Sequence, residues 1–130
     1  LIVEGENAAV AAAKILPEYD VVSWMGGSNS ADKVNWSQLQ WRDVIIWPDN
    51  DEPDFKAADI IKDKLNKAND HIGFVSIVDS NKLRFDGRVH KDLLPKKWDL
   101  ADRLPNGMTI TNVKKAIENV RAAHLDLNQI

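Results

Sequence analysis

Asp43-Val44-Ile45-Ile46-Trp47-Pro48-Asp49-Asn50-Asp51 joins an unbroken apolar run to an acidic turn. The run is rich in β-branched and aromatic side chains, the composition of a buried strand. Beyond the turn the spacing predicts a helix over 53–69. Phe55, Ala58, Ile61, Leu65 and Ala68 recur at three and four residues, and Pro53 stands in the first turn, where a missing N–H costs nothing. Further out, His71 to Val78 reads as the following strand and Asp20 to Trp24 as the preceding one. Leu1-Ile2-Val3 reads as the end of a first strand, followed by an Ala-rich helix from Asn7 to Leu16 that Pro17 helps to stop. Gly26-Gly27-Ser28-Asn29-Ser30 reads as a loop, and residues 31–42 fit either a short helix or a packed loop. Residues 79–108 look irregular. A last amphipathic helix is expected over Thr111 to His124, with Val113, Ile117 and Val120 facing inward and Thr109 or Thr111 as its cap. This alternation implies parallel pairing through crossovers, hence an α/β sandwich.

The bulk numbers fit one domain over residues 1–130, with a core over 1–108 and the last helix after it. Of the 130 residues, 44% are apolar and 28% charged, an ordinary globular balance. With no cysteine there is neither a disulfide nor a thiolate zinc site, which is compatible with a reducing cytoplasm, the expected compartment. A net charge of −3 gives no overall basic field for nucleic acid, although Lys91, Lys96, Lys97 and Arg103 lie close together in sequence. No apolar run approaches a membrane span, so no membrane partner is expected. The chain opens without Met inside a strand-like run and reads as a piece excised from a longer protein.

Two acidic clusters follow strand-like runs: Glu4-Gly5-Glu6 after the first, and Asp49-Asn50-Asp51 after the central one. Carboxylates at the carboxyl ends of neighbouring parallel strands converge on the crevice where open α/β sheets hold ligands. Oxygen-only clusters suit Mg²⁺, with Mn²⁺ as a substitute, and so point to metal-assisted phosphate chemistry. Each residue also has a plainer reading. Asp51 can cap the helix that follows, with Asp54 reaching back in a capping box, and Glu6 can answer the dipole of the first helix. Gly5 permits close approach of a ligand or simply a tight turn. A third cluster, Asp99-Leu100-Ala101-Asp102, follows Lys97-Trp98 and by itself reads as a solvated helix start. The tryptophans offer stacking surfaces for bases, or pack the core. His71, His90 and His124 show no ligand spacing, and no Gly-rich loop ends in Lys-Ser/Thr.

Taken together, these residues resemble the Toprim domain, the catalytic module shared by bacterial-type primases, type IA and type II topoisomerases and certain nucleases. That pattern is a Glu-Gly after one strand and an Asp-x-Asp after a later one, with a further acidic motif downstream in primases. Glu4-Gly5, Asp49-Asn50-Asp51 and Asp99 with Asp102 stand in those places. The finer wording is similar to the primases and primase–helicases of phages, plasmids and other mobile elements. It lies in Val3-Glu4-Gly5-Glu6, Gly26-Gly27-Ser28-Asn29, Trp36-Ser37-x-Leu39, the run from Arg42 to Asp51, and Lys97 to Asp102. The family often carries Gly three residues after the second Asp of Asp-x-Asp. Asp54 stands there instead, preceded by Pro53, and an added carboxylate can alter metal affinity or repel phosphate.

The resemblance implies a Rossmann-like fold, with a roughly four-stranded, mainly parallel sheet flanked by helices. It implies Mg²⁺ held by Asp49 and Asp51 with Asp99 as an additional ligand, Asp102 as a further acidic residue, and Glu4 as a metal-proximal carboxylate or general acid/base. Lys97 and Arg103 are candidate phosphate contacts or a solvated face. The implied reaction is metal-dependent primer synthesis on a single-stranded DNA template from nucleoside triphosphates, beside a helicase domain or subunit. Phosphodiester cleavage by the same carboxylates, or a degenerate module that only binds DNA or docks a helicase, are the alternatives.

Overall fold

In a computed structural model of the chain the described residues are 1–24, 39, 42–67, 73–78, 84–85, 88–89, 97–104 and 108–128. Among the described residues nine elements follow one another: β1 (Ile2–Glu4), α1 (Glu6–Ile15), β2 (Val22–Trp24), β3 (Val44–Trp47), α2 (Glu52–Lys67), β4 (Val75–Ile77), β5 (Arg84–Phe85), β6 (Arg88–Val89) and α3 (Ile110–Asn128). Strands β1 to β4 form one parallel sheet in the order β2-β1-β3-β4. The chain leaves β1 in one direction to make β2 and leaves β3 in the other to make β4. Right-handed crossovers running in opposite directions put their helices on opposite faces of the sheet, and the packing follows that rule.

Strand alternation divides the core in two. Val3, Ile45 and Trp47 pack on one face with Ala8, Ala12 and Leu16 of the α1 region and Val113, Ala116 and Ile117 of α3. Ile2, Val44 and Ile46 pack on the other with Ala57, Ala58, Ile61 and Leu65 of α2. Every residue of β3 is buried, as an unbroken apolar run requires of a strand covered on both sides. Full burial of a branched side chain such as Ile46 or Ile61 contributes ~1.5–3 kcal/mol each.

The expected elements are present, with shifts at their ends. Helix α1 starts one residue early, at Glu6, and α2 starts at Glu52. Helix α3 runs on to Asn128, past the expected His124. Of the two candidate caps, Thr109 is the one used. Its hydroxyl accepts from the Asn112 N–H at 3.3 Å while the Asn112 side chain accepts from the Thr109 N–H at 2.7 Å, a reciprocal capping box. The stretch expected to be irregular contains a short antiparallel hairpin, β5–β6. Two-residue strands are too short to show alternation. The glycine loop at 26–30, Trp36, Trp41, His71, His90, Lys91 and Lys96 lie outside the described residues, as does the side chain of His124.

Candidate metal centre at the switch point of the sheet

Strands β1 and β3 are hydrogen-bonded neighbours from which the chain departs in opposite directions, so a crevice opens between their carboxyl ends. Their register, Val3 opposite Trp47, brings Glu4 level with the end of β3, just before Asp49. The turn out of β1 is made by Gly5, whose φ of 85° and ψ of 158° belong to a region essentially reserved for glycine. Nothing lies within 4 Å of where a Cβ would stand, so backbone conformation rather than space fixes this glycine. Its N–H donates to the Trp24 carbonyl at 3.0 Å and its carbonyl accepts from Ala9. Glu4 is thereby set at the carboxyl end of β1 with α1 leading away from it.

Helix α2 supplies the third wall. Glu4, Asp49 and Asp54 each bring a carboxylate oxygen to one place, all within 4.8 Å of one another. Asp54 is the one charged side chain among the described residues that is buried. The Glu4 carboxyl is pushed up from 4.5 to about 8, by burial first and then by its hydrogen bond to Asp54 and by the charges of Asp54 and Asp49. The Asp49 carboxyl is pushed up from 3.8 to about 7 by burial, then by Asp99, Asp54 and Asp102. Glu4 Oε2 is buried and has no hydrogen-bond partner. An orphaned carboxylate oxygen facing two further carboxylates is the donor set a hard divalent cation requires, so these residues fit the metal that the sequence implies.

The downstream acidic cluster is attached to this site through Asn50. The Asn50 N–H donates to the Trp98 carbonyl at 2.9 Å, and the Lys97 N–H donates to the Asn50 carbonyl at 2.7 Å. Trp98 is buried, packs on Trp47 with ring centroids 6.5 Å apart, and donates its indole N–H to the Arg103 carbonyl at 3.0 Å. Asp99 and Asp102 close a turn on themselves: Asp102 accepts from the Asp99 N–H at 2.9 Å, and Asp99 accepts from the Ala101 N–H at 2.7 Å. This is the bonding of a helix start without a helix after it. The Asp99 carboxyl is raised, by burial above all. Lys97 holds a left-handed backbone with φ 65° and places its Nζ 3.4 Å from Asp51 Oδ2. Its charge also reaches Glu4 and Asp49 and opposes the upward push on both.

Of the residues singled out in the sequence, Glu4 and Asp49 are brought together, and Asp99 and Asp102 stand near enough to act on Asp49. Asp51 is not in the three-carboxylate group. Strand geometry ends at Trp47, so the period-two argument that put both aspartates on one side does not carry across the turn. Asp51 sits at the start of α2, where its carbonyl accepts from the N–H groups of Asp54 and Phe55 and its carboxylate accepts from the Glu52 N–H at 3.1 Å. The Asp54 side chain hydrogen-bonds Glu4, and the Asp51 N–H donates to the Asp49 carbonyl. Arg103 is exposed. Asp54, expected from the sequence only as an added carboxylate that alters metal affinity or repels phosphate, stands within the carboxylate group itself. Its signal was legible: it lies four residues before Ala58 and seven before Ile61, on the inward stripe of α2.

No helix among the described residues is long and apolar enough to cross a membrane. No curated protein and no solved structure matches the chain. A family model does: that of the Toprim domain, over residues 1–79, which takes in β1 to β4 and with them Glu4, Asp49, Asp51 and Asp54. With more than half of its length matched, and with a parallel sheet that gathers Glu4 and Asp49 at its switch point, the chain belongs to the Toprim domain family.

Proposed function

We propose that this Toprim domain is the catalytic module of a primase-like nucleotidyltransferase that builds primers on single-stranded DNA from nucleoside triphosphates. The observation that carries the reading is the docking of the Lys97–Asp102 turn onto Asn50, which sets a third acidic cluster and a lysine beside Asp49. Toprim domains are catalytic domains of nucleic-acid enzymes and bind divalent metals through acidic residues. Glu4 and Asp49 would hold Mg²⁺ or Mn²⁺, with Asp99 adding its charge beside Asp49. A divalent cation held there would supply positive charge to offset that of the triphosphate; in the reaction proposed, a primer 3′-hydroxyl would form a bond to the α-phosphorus as the bond to the departing pyrophosphate breaks.

The chain's own residues supply the rest. Glu4, pushed up to about 8, sits in the range where a carboxyl can accept and return a proton near neutral pH. The Lys97 ammonium is 69% exposed and can turn from Asp51 toward a phosphate oxygen. Loss of one such electrostatic group costs ~3–4 kcal/mol of barrier in comparable sites.

The test compares the chain with its Asp49→Asn variant on single-stranded DNA, with and without nucleoside triphosphates, in Mg²⁺. Nucleotide-dependent synthesis that disappears in the variant supports the proposal. Undiminished synthesis in the variant overturns it, and strand cleavage without nucleotides replaces it with a Toprim nuclease.

A further inference from the structure

We propose that Asp51 is a positioning residue that acts through Lys97: its carboxylate holds the lysine ammonium beside the crevice, where the polyphosphate of an incoming nucleotide takes it over. The inference rests on the nucleotidyltransferase reading above and deepens it by naming the pair that meets the phosphates.

Lys97 is fixed at its backbone and loose at its tip. It is the one non-glycine residue among the described residues with a positive φ, 65°, a conformation that side chains hold only where the surroundings impose it. Two bonds impose it here. The Lys97 N–H donates to the Asn50 carbonyl at 2.7 Å, and the carbonyl of the buried Trp98 accepts from the Asn50 N–H at 2.9 Å. The backbone of Lys97 is thereby tied to the residue before Asp51. The two charges of the pair are unequally free. The Asp51 side chain is 9% exposed and its Oδ1 accepts from the Glu52 N–H at 3.1 Å, whereas the Lys97 side chain is 69% exposed. Their separation of 3.4 Å exceeds the about 2.7–2.9 Å of a tight charge-assisted hydrogen bond. A fixed carboxylate thus holds a mobile ammonium by charge, without locking its three donors.

The class of ligand follows from this chemistry. A lysine ammonium is a compact point charge that meets phosphate oxygens without demanding one orientation. Its charge also reaches Glu4 and Asp49, so it stands at the edge of a carboxylate-lined crevice that repels a bare anion. There it offsets the repulsion for a polyphosphate, whose charge extends over several oxygens. Asp51 limits the positions the long side chain samples, so less rotamer freedom is lost when a phosphate binds.

The experiment is calorimetric titration of ATP in excess Mg²⁺ into the chain and its Lys97→Ala, Asp51→Asn and Lys97→Ala/Asp51→Asn variants, each first checked for folding by thermal melting. Lys97→Ala should weaken binding by about 10-fold or more, as loss of a hydrogen bond to a charged group does. Asp51→Asn should weaken it by about two- to fivefold, the scale of an exposed ion pair. The double variant should bind within about twofold of Lys97→Ala, because Asp51 has nothing to present once the ammonium is gone. Asp51→Ser gives a second removal of the charge that keeps a helix-capping oxygen. An Asp51→Asn loss of equal size with and without Lys97 shows Asp51 acting directly; it overturns the inference and leaves the proposed function standing. Tighter or unchanged binding by both Asp51 variants, or Lys97→Ala binding equal to wild type, does the same. No binding of ATP by the wild type overturns the inference together with that function.

Discussion

Raising the pH from 5 to 7 in chelator should destabilise this protein. The Glu4 carboxyl moves from 4.5 in the open chain to about 8 in the fold, and Asp49 from 3.8 to about 7. Both shifts are upward, so between those limits the folded state binds more protons than the unfolded one. Stability is then greatest below the unfolded values and is lost as pH rises toward the folded ones. Two protons held fully in the fold set a limit of ~2.7 kcal/mol per pH unit. Both side chains are only half-buried, and solvent screening reduces this to ~0.5–1 kcal/mol per unit, or about 1–2 kcal/mol across the interval. For a chain of this length that is a fall of about 4–8 °C in Tm. Asp99, also raised, acts in the same sense. Asp20, whose exposed carboxyl is pulled down by Arg42, acts oppositely and at more acidic pH. The assay is thermal unfolding followed by circular dichroism at pH 5, 6 and 7, repeated with excess Mg²⁺. Tm should fall with pH in chelator, and the rescue by Mg²⁺ should grow over the same interval. A Tm that stays flat or rises with pH in chelator would refute the claim that burial and neighbouring carboxylates raise these two groups in the fold.

Gly5→Ala should cost about 1–3 kcal/mol, because the backbone there occupies a region closed to side chains; urea midpoints equal to wild type would contradict this. Lys97→Gly should change stability by less than ~1 kcal/mol, since glycine takes φ 65° without strain while Asp51, whose side chain is 9% exposed, loses its ammonium partner. The same variant should bind nucleoside triphosphate more weakly by calorimetry, and unchanged affinity would remove Lys97 from the phosphate site. Trp98→Ala should cost ~3–5 kcal/mol by emptying the space against Trp47. It should also release the Asp99–Asp102 turn, read as faster amide exchange at Asn50 and Lys97; unchanged exchange would show that the backbone bonds alone hold the turn.

Much of this molecule was decided by local pattern. Val44–Trp47 is apolar at every position, and a strand of that kind is stable only inside a sheet covered on both faces, which already implies crossovers and helices on each side. The three-and-four spacing over α2 and α3 and the threonine before Ile110 are legible because helix period and capping depend on near neighbours. So are the acidic residues that follow β1 and β3, since the carboxyl ends of parallel strands are fixed once the strands are.

What the sequence left open depended on contacts distant along the chain. The Lys97–Asp102 turn reaches the site only because its backbone bonds to Asn50 and Trp98 packs on Trp47, and nothing between residues 50 and 97 announces that pairing. The division of labour between Asp51 and Asp54 was settled in the same way. Asp51 precedes the first turn of α2 and Asp54 lies within it, and as sequence they read as a cap and its reciprocal partner. The docking of α2 on the sheet buries the stripe of Asp54, Ala58 and Ile61 and turns Asp54 toward Glu4, while Lys97 waits on the outer side for Asp51. Local energies of capping differ by less than about 1 kcal/mol between such neighbours, so the choice fell to tertiary packing and to the charges it brought together.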